Sequence, residues 1–132
     1  MPNIDKTAPE GLTPAQIEIL SVVWEMGEAG VADVWRVLSS RRTVARNTVQ
    51  TMLTRLHERG WLRAREEGNA FVYSPAKKRE SVLARLVGGL VDSAFGGSAS
   101  GLVAALLQSR RLSPEEVARI RKLISQAERG KP

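Results

Sequence analysis

The chain contains no cysteine, so disulfides, thiolate metal sites and cysteine nucleophiles are all excluded. It contains one histidine, His57, and aromatic residues make up only 5% of its 132 positions. No apolar run approaches the roughly 20 residues a bilayer-spanning helix needs. The N-terminus has no charged-then-apolar leader pattern, so a cytoplasmic location is expected. With one histidine and no cysteine, a catalytic constellation has little to draw on. No His/Asp/Glu cluster stands at metal-ligand spacing, and no phosphate-cradling or dinucleotide glycine motif occurs. Gly88-Gly89 and Gly96-Gly97 read as helix punctuation, Glu66-Glu67 as solvated acids at a hairpin tip, and His57 as a surface or phosphate-facing residue. Neither an enzyme nor a cofactor nor a metal is expected.

What is present is basic charge and helical periodicity. The net charge is +6, with 42% of residues apolar. From Met1 to Ala76 the charges cancel, nine basic against nine acidic, so the excess lies in the C-terminal third. Within the balanced half, Arg41, Arg42, Arg46, Arg55, Arg59, Arg63 and Arg65 are opposed over that stretch only by Glu58. Such a local concentration suits a polyanionic partner better than a generally basic surface does.

Residues 1–11 read as a polar arm. Leu12-Thr13-Pro14-Ala15-Gln16-Ile17 is a helix start in which Thr13 caps, Pro14 takes the first helical position, Gln16 completes a capping box and Leu12 staples to Ile17. A first helix to about Met26 buries Ile17, Leu20, Val23 and Trp24, and Gly27 and Gly30 form the turn after it. A second helix, Val31 to Leu38, faces Val34, Val37 and Leu38 inward. A third runs from about Arg46 to Arg59 with an apolar stripe of Val49, Met52, Leu53 and Leu56, and Gly60 stops it. Alternation in 61–65 and 71–74 then marks a hairpin with a loop of about five residues, 66–70. Three helices followed by a hairpin is the order of a winged helix-turn-helix. The expected architecture is mainly α with a small β-hairpin: a DNA-binding domain over 12–76 and a helical dimerisation domain over 77–132.

The third helix carries the functional argument. Its exposed positions Asn47, Thr48, Gln50, Thr51 and Thr54 are amides and hydroxyls, concentrated in its N-terminal half. Asn and Gln can pair bidentately with adenine in the major groove, and Thr can hydrogen-bond or touch the thymine methyl. Arg41, Arg42 and Arg46 on one side, and Arg63, Arg65 and Asn69 in the wing on the other, can hold phosphates, which fix register while base contacts fix sequence. Thr43 and Arg55 are also expected among the DNA-binding residues. The expected partner is therefore double-stranded operator DNA.

The C-terminal third is too short to close a core alone, and its apolar positions are many: Leu83, Leu86, Val87 and Leu90, then Leu102, Val103, Leu106 and Leu107, then Ile120, Leu123 and Ile124. Its last helix repeats the start signature of the first at Leu112-Ser113-Pro114-Glu115-Glu116-Val117, and is expected to bury Val117, Ile120, Leu123 and Ile124. A homodimer resolves the exposed stripes and matches a palindromic site. Two other readings stand beside the repressor: a small-molecule-responsive winged-helix regulator with a pocket at the dimer helices, and a winged-helix protein–protein adaptor.

The residues Leu12-Thr13-Pro14-Ala15-Gln16 with Val23-Trp24, the run Asn47 to Leu56, Phe71-Val72-Tyr73-Ser74, and Gly96-Gly97 ahead of Leu102-Val103 together resemble the BlaI/MecI penicillinase repressors, a family that includes copper-responsive repressors. The resemblance spans Leu12 to about Ala127. It implies a homodimer on a two-fold operator controlling β-lactamase-type or related operons, with base contacts from Asn47, Thr48 and Gln50. It also implies a membrane sensor-protease pathway whose signal ends in cleavage within the dimerisation region. The bond matching the cleaved one is Ala105–Leu106, where staphylococcal members have Asn–Phe. The Cys-x-Cys pairs of the copper-sensing branch are absent.

Overall fold

The computed structural model describes residues 11–130, so the expected N-terminal arm lies outside the described residues apart from Gly11. The elements are α1 (Pro14–Met26), β1 (Ala29–Gly30), α2 (Val31–Ser39), α3 (Arg46–Glu58), β2 (Leu62–Glu67), β3 (Ala70–Pro75), α4 (Arg79–Ala94), α5 (Ala99–Ser109) and α6 (Pro114–Arg129). They form two compact units, one ending at Leu90 and the other starting at Val91.

The first unit is a winged helix. α1 starts as its sequence dictates. The Thr13 hydroxyl accepts the Gln16 amide N–H at 3.2 Å, and the Gln16 side chain accepts the Thr13 N–H at 2.9 Å. Gly27 closes the helix at φ 81°, a conformation that favours glycine. The buried residues of α1 are Ile19, Leu20, Val22 and Val23, while Ile17 and Trp24 are only half-buried. The expected single stripe is too narrow because α2, α3 and β3 all pack on this helix, and its buried arc widens to take in Ile19 and Val22.

Gly30 is not simply part of a turn. Ala29 and Gly30 form a short strand antiparallel to β3, with Ala29 opposite Tyr73 and Gly30 opposite Val72, giving one sheet in the order β1-β3-β2. Two residues are too few to show alternation in a sequence. The Gly30 amide N–H then donates to the Asp33 carboxylate at 2.9 Å, which organises the first turn of α2. The hairpin is also tighter than expected. β2 and β3 pair from Leu62↔Pro75 out to Glu67↔Ala70, leaving a two-residue loop, Gly68-Asn69, instead of five. Gly68 at φ 64° makes so short a turn possible.

The core joins Val34 and Leu38 of α2, Val49, Leu53 and Leu56 of α3, Trp61, Leu62 and Tyr73 to the buried face of α1. Val37 and Met52 sit at its edge. α4 contributes Val82, which is buried, and Leu86, which packs against the same cluster. Trp24 Nε1 donates to the Lys77 carbonyl at 3.1 Å, fixing the segment that leads from β3 into α4.

In the second unit, Ser98 caps α5 by accepting the Gly101 N–H at 3.0 Å, and Ser113 caps α6 by accepting the Glu116 N–H at 3.1 Å. The expected reciprocal box at α6 is half made, because the Glu116 carboxylate turns to Arg119 instead. No residue of α5 or α6 is fully buried. Val117 and Ile120 are half-buried, whereas Leu123 and Ile124 keep 64% and 53% of their surface exposed. The apolar stripes of this unit do not close into a core within one chain.

Candidate nucleic-acid interface

α3 divides into faces by its 3.6-residue period. Val49, Leu53 and Leu56 are fully buried against α1 and α2. Asn47 and Thr51, one turn apart, stand on the opposite side, and both are exposed, as are Thr48, Gln50, Thr54 and Arg55. Helix packing therefore fixes where these groups point. α3 begins on Ala45, which has no capping side chain. The unsatisfied amides and positive dipole end of such a terminus favour an anion such as phosphate.

Arg46, Gln50, Thr54 and His57 lie on the side of α3 that faces the hairpin. Together with Ala64, Asn69 and Phe71 they line a cleft between α3 and the hairpin. The Thr54 hydroxyl donates to the Gln50 carbonyl at 2.9 Å, so its proton is engaged within the helix. His57 meets Tyr73 edge-on, with ring centroids 6.4 Å apart. Arg63 is exposed on β2, and Asn69 is exposed in the wing turn.

The arginines of the turn before α3 are not simply splayed into solvent. Arg41 donates to Glu18 Oε2 at 2.9 Å, and Arg42 grips the same carboxylate with two nitrogens, at 3.1 and 2.6 Å. The hydrogen bond from Arg42 is the main cause that holds the Glu18 carboxyl below the usual carboxylate range; burial opposes it, and Arg41 adds to the lowering. Arg65 is held in a similar way by Glu28, at 3.2 and 3.1 Å, and by Glu67. Its hydrogen bonds to Glu28 and then Glu67 raise its pKa, and Glu28 is correspondingly lowered. Thr43 is exposed in the turn between Arg42 and α3. Glu18 and Glu28 escape a reading of the sequence because they stand 23, 24 and 37 residues from the arginines they bind, with no local pattern to signal the pairing.

The positions read as dimerisation residues fall mostly on open surface. Val87, Leu90, Val103, Leu106, Leu107, Leu123 and Ile124 are exposed, Leu83, Leu102 and Ile120 are half-buried, and Leu86 leans on the core of the first unit. Ala105 and Leu106 lie inside α5. Among the described residues no group of His, Asp and Glu could hold a metal ion, and no single helix is long and apolar enough to cross a membrane.

Comparison with known proteins agrees with this geometry. A family model described as "Penicillinase repressor" matches residues 12–126. The penicillinase repressor of Bacillus licheniformis is 28% identical over 106 residues, 80% of this chain and 83% of that protein. The methicillin resistance regulatory protein MecI of Staphylococcus aureus (strain N315) is 17% identical over 114 residues, covering 86% of this chain and 93% of its own length. Among solved structures, the DNA-binding domain of the repressor BlaI is 33% identical, with a TM-score of 0.50 over 55% of this chain and 88% of that domain. MarR from E. coli in its apo form, at 20% identity, reaches a TM-score of 0.54 over 92% of this chain and 82% of its own, a likeness of fold. The chain belongs to the penicillinase repressor family, whose members are DNA-binding transcriptional repressors and not enzymes.

Proposed function

We propose that this repressor acts as a homodimer on a two-fold operator, each copy laying α3 in a major groove. The exposed polar run Asn47, Thr48, Gln50, Thr51 and Thr54, held rigidly above the buried stripe of α3, carries this reading. These are the groups that read base edges, and they cluster at the end of the helix that enters the groove. Arg46, Arg55 and Arg63, with Thr43 and Asn69, supply phosphate contacts around them. The two copies pair through the exposed apolar positions of α4, α5 and α6, which leave more apolar surface open than a solitary chain of this size usually tolerates. The names of the relatives suggest β-lactamase-type or related operons as targets. The resemblance to the BlaI/MecI repressors further implies relief of repression by a membrane sensor-protease pathway that cuts the C-terminal region. A cut at Ala105–Leu106 would first require local opening of α5, because the bond lies in mid-helix.

Selection of bound duplexes from random oligonucleotides tests the reading. Enrichment of an inverted repeat, with half-sites about one helical turn or a multiple apart, is expected. Recovery of single half-sites only, with no preferred spacing, would sink the dimer, and no enrichment at all would sink the readout by α3.

A further inference from the structure

We propose that Glu18 is a positioning residue for operator binding: it holds the Arg41 and Arg42 guanidiniums in the orientation in which they meet phosphate. The proposal rests on the DNA-binding reading above. One carboxylate serves two cations, so the group of three keeps a net charge of +1. Glu18 is the least exposed of them, with 22% of its side chain accessible against 49% and 47% for Arg41 and Arg42. The carboxylate thus lies behind, anchored on α1, and the guanidiniums lie in front, at the turn that leads into α3. Arginine has five N–H donors. Glu18 engages Nη1 of Arg41 and both terminal nitrogens of Arg42, which leaves further donors on each guanidinium for a phosphate. The backbone of the turn is held by the Arg41 and Arg42 N–H groups, which donate to the Leu38 carbonyl at 3.0 and 3.1 Å, and Glu18 adds a hold on the two side chains. Without Glu18 each arginine would have to be ordered by DNA alone, at the entropic cost of fixing a long side chain.

The alternative is that Glu18 merely masks positive charge, and the two roles predict opposite signs. A masking carboxylate, once removed, should tighten binding to every duplex. A positioning carboxylate, once removed, should weaken the operator complex even though the protein has become more positive. The experiment compares wild type and Glu18→Gln on the duplex enriched by the wild-type chain and on a random duplex, over a salt series, with thermal melting as a check of folding. The expected result is an operator affinity lower by about tenfold, the order of one charge-assisted hydrogen bond. The slope of log K against log salt should become shallower by about 0.9 for a lost phosphate contact. Random-duplex affinity should be unchanged or higher, because loose electrostatic binding responds to charge. Tighter or unchanged binding to the operator, or an equal loss on both duplexes, overturns the proposal. Arg42→Lys gives a second readout with Glu18 in place. It keeps the charge but not the two-nitrogen grip, and full operator affinity in that variant would equally overturn it. A wild-type chain that enriches no sequence would refute the DNA reading itself, an outcome distinct from these.

Discussion

Asn47 and Gln50 are exposed on α3, and replacing either by alanine should leave the melting temperature of the protein almost unchanged while costing about 1–3 kcal/mol of operator affinity and flattening base preference at one position. Quantitative binding to single-base variants of the selected operator checks this; an unaltered preference would remove the residue from the readout. Glu18 answers to pH. Its folded carboxyl titrates below the ordinary value of 4.5, so the stability it contributes is fully present above that value and is lost as pH falls through it and lower. Glu18→Gln should therefore unfold at a lower temperature than wild type at pH 7, and the difference should shrink below about pH 4.5. A constant difference would mean the ion pairs contribute nothing to folding. At this scale the polar run of α3 was legible, because a position's chemistry and its helical phase are both local. The partners of Arg41, Arg42 and Arg65 were not, because tertiary folding alone brings Glu18 and Glu28 to them.

Among the elements, α1, α2 and α3 were readable to within a residue or two, since caps and helical spacing are written locally: Thr13 with Gln16, Pro14, Gly27. β1 was not, because its existence depends on β3 offering a free edge to Ala29 and Gly30. The shortness of the wing turn escapes a local reading for a related reason. Glu66 and Glu67 look like loop residues in isolation, and cross-strand pairing with Phe71 and Ala70 extends the strands through them. Gly68 then takes the positive-φ position of the two-residue turn, at φ 64°. Gly68→Ala should destabilise the winged unit by about 1 kcal/mol, the cost of a left-handed conformation for a residue with a Cβ. Denaturant unfolding with an unchanged slope would register it. If stability held, the turn would have an unstrained alternative.

At the scale of the molecule, the C-terminal apolar text was legible as excess hydrophobicity, but which residues it would leave uncovered was not. Leu123, Leu107 and Ile124 are the most open of its large apolar side chains, and Leu123 and Ile124 stand side by side on α6. Leu123→Lys with Ile124→Lys should leave helix content intact, shift the protein toward monomer in sedimentation at micromolar concentration, and weaken binding to a full operator far more than to a half-site. An unaltered sedimentation coefficient would place the contact between copies elsewhere. α4 has a consequence for modularity. It begins in one compact unit and ends in the other, and Val82 on its second turn belongs to the winged core. A fragment ending at Ala76, where the hairpin finishes, would be missing a plug: the removal of Val82 alone forfeits about 1.5–3 kcal/mol of burial. A fragment running to Leu90 keeps it. The longer fragment should melt cooperatively and bind half-sites, while the shorter should melt lower and more broadly, so the smallest self-sufficient reader of DNA in this chain ends inside a helix, not at the loop before it.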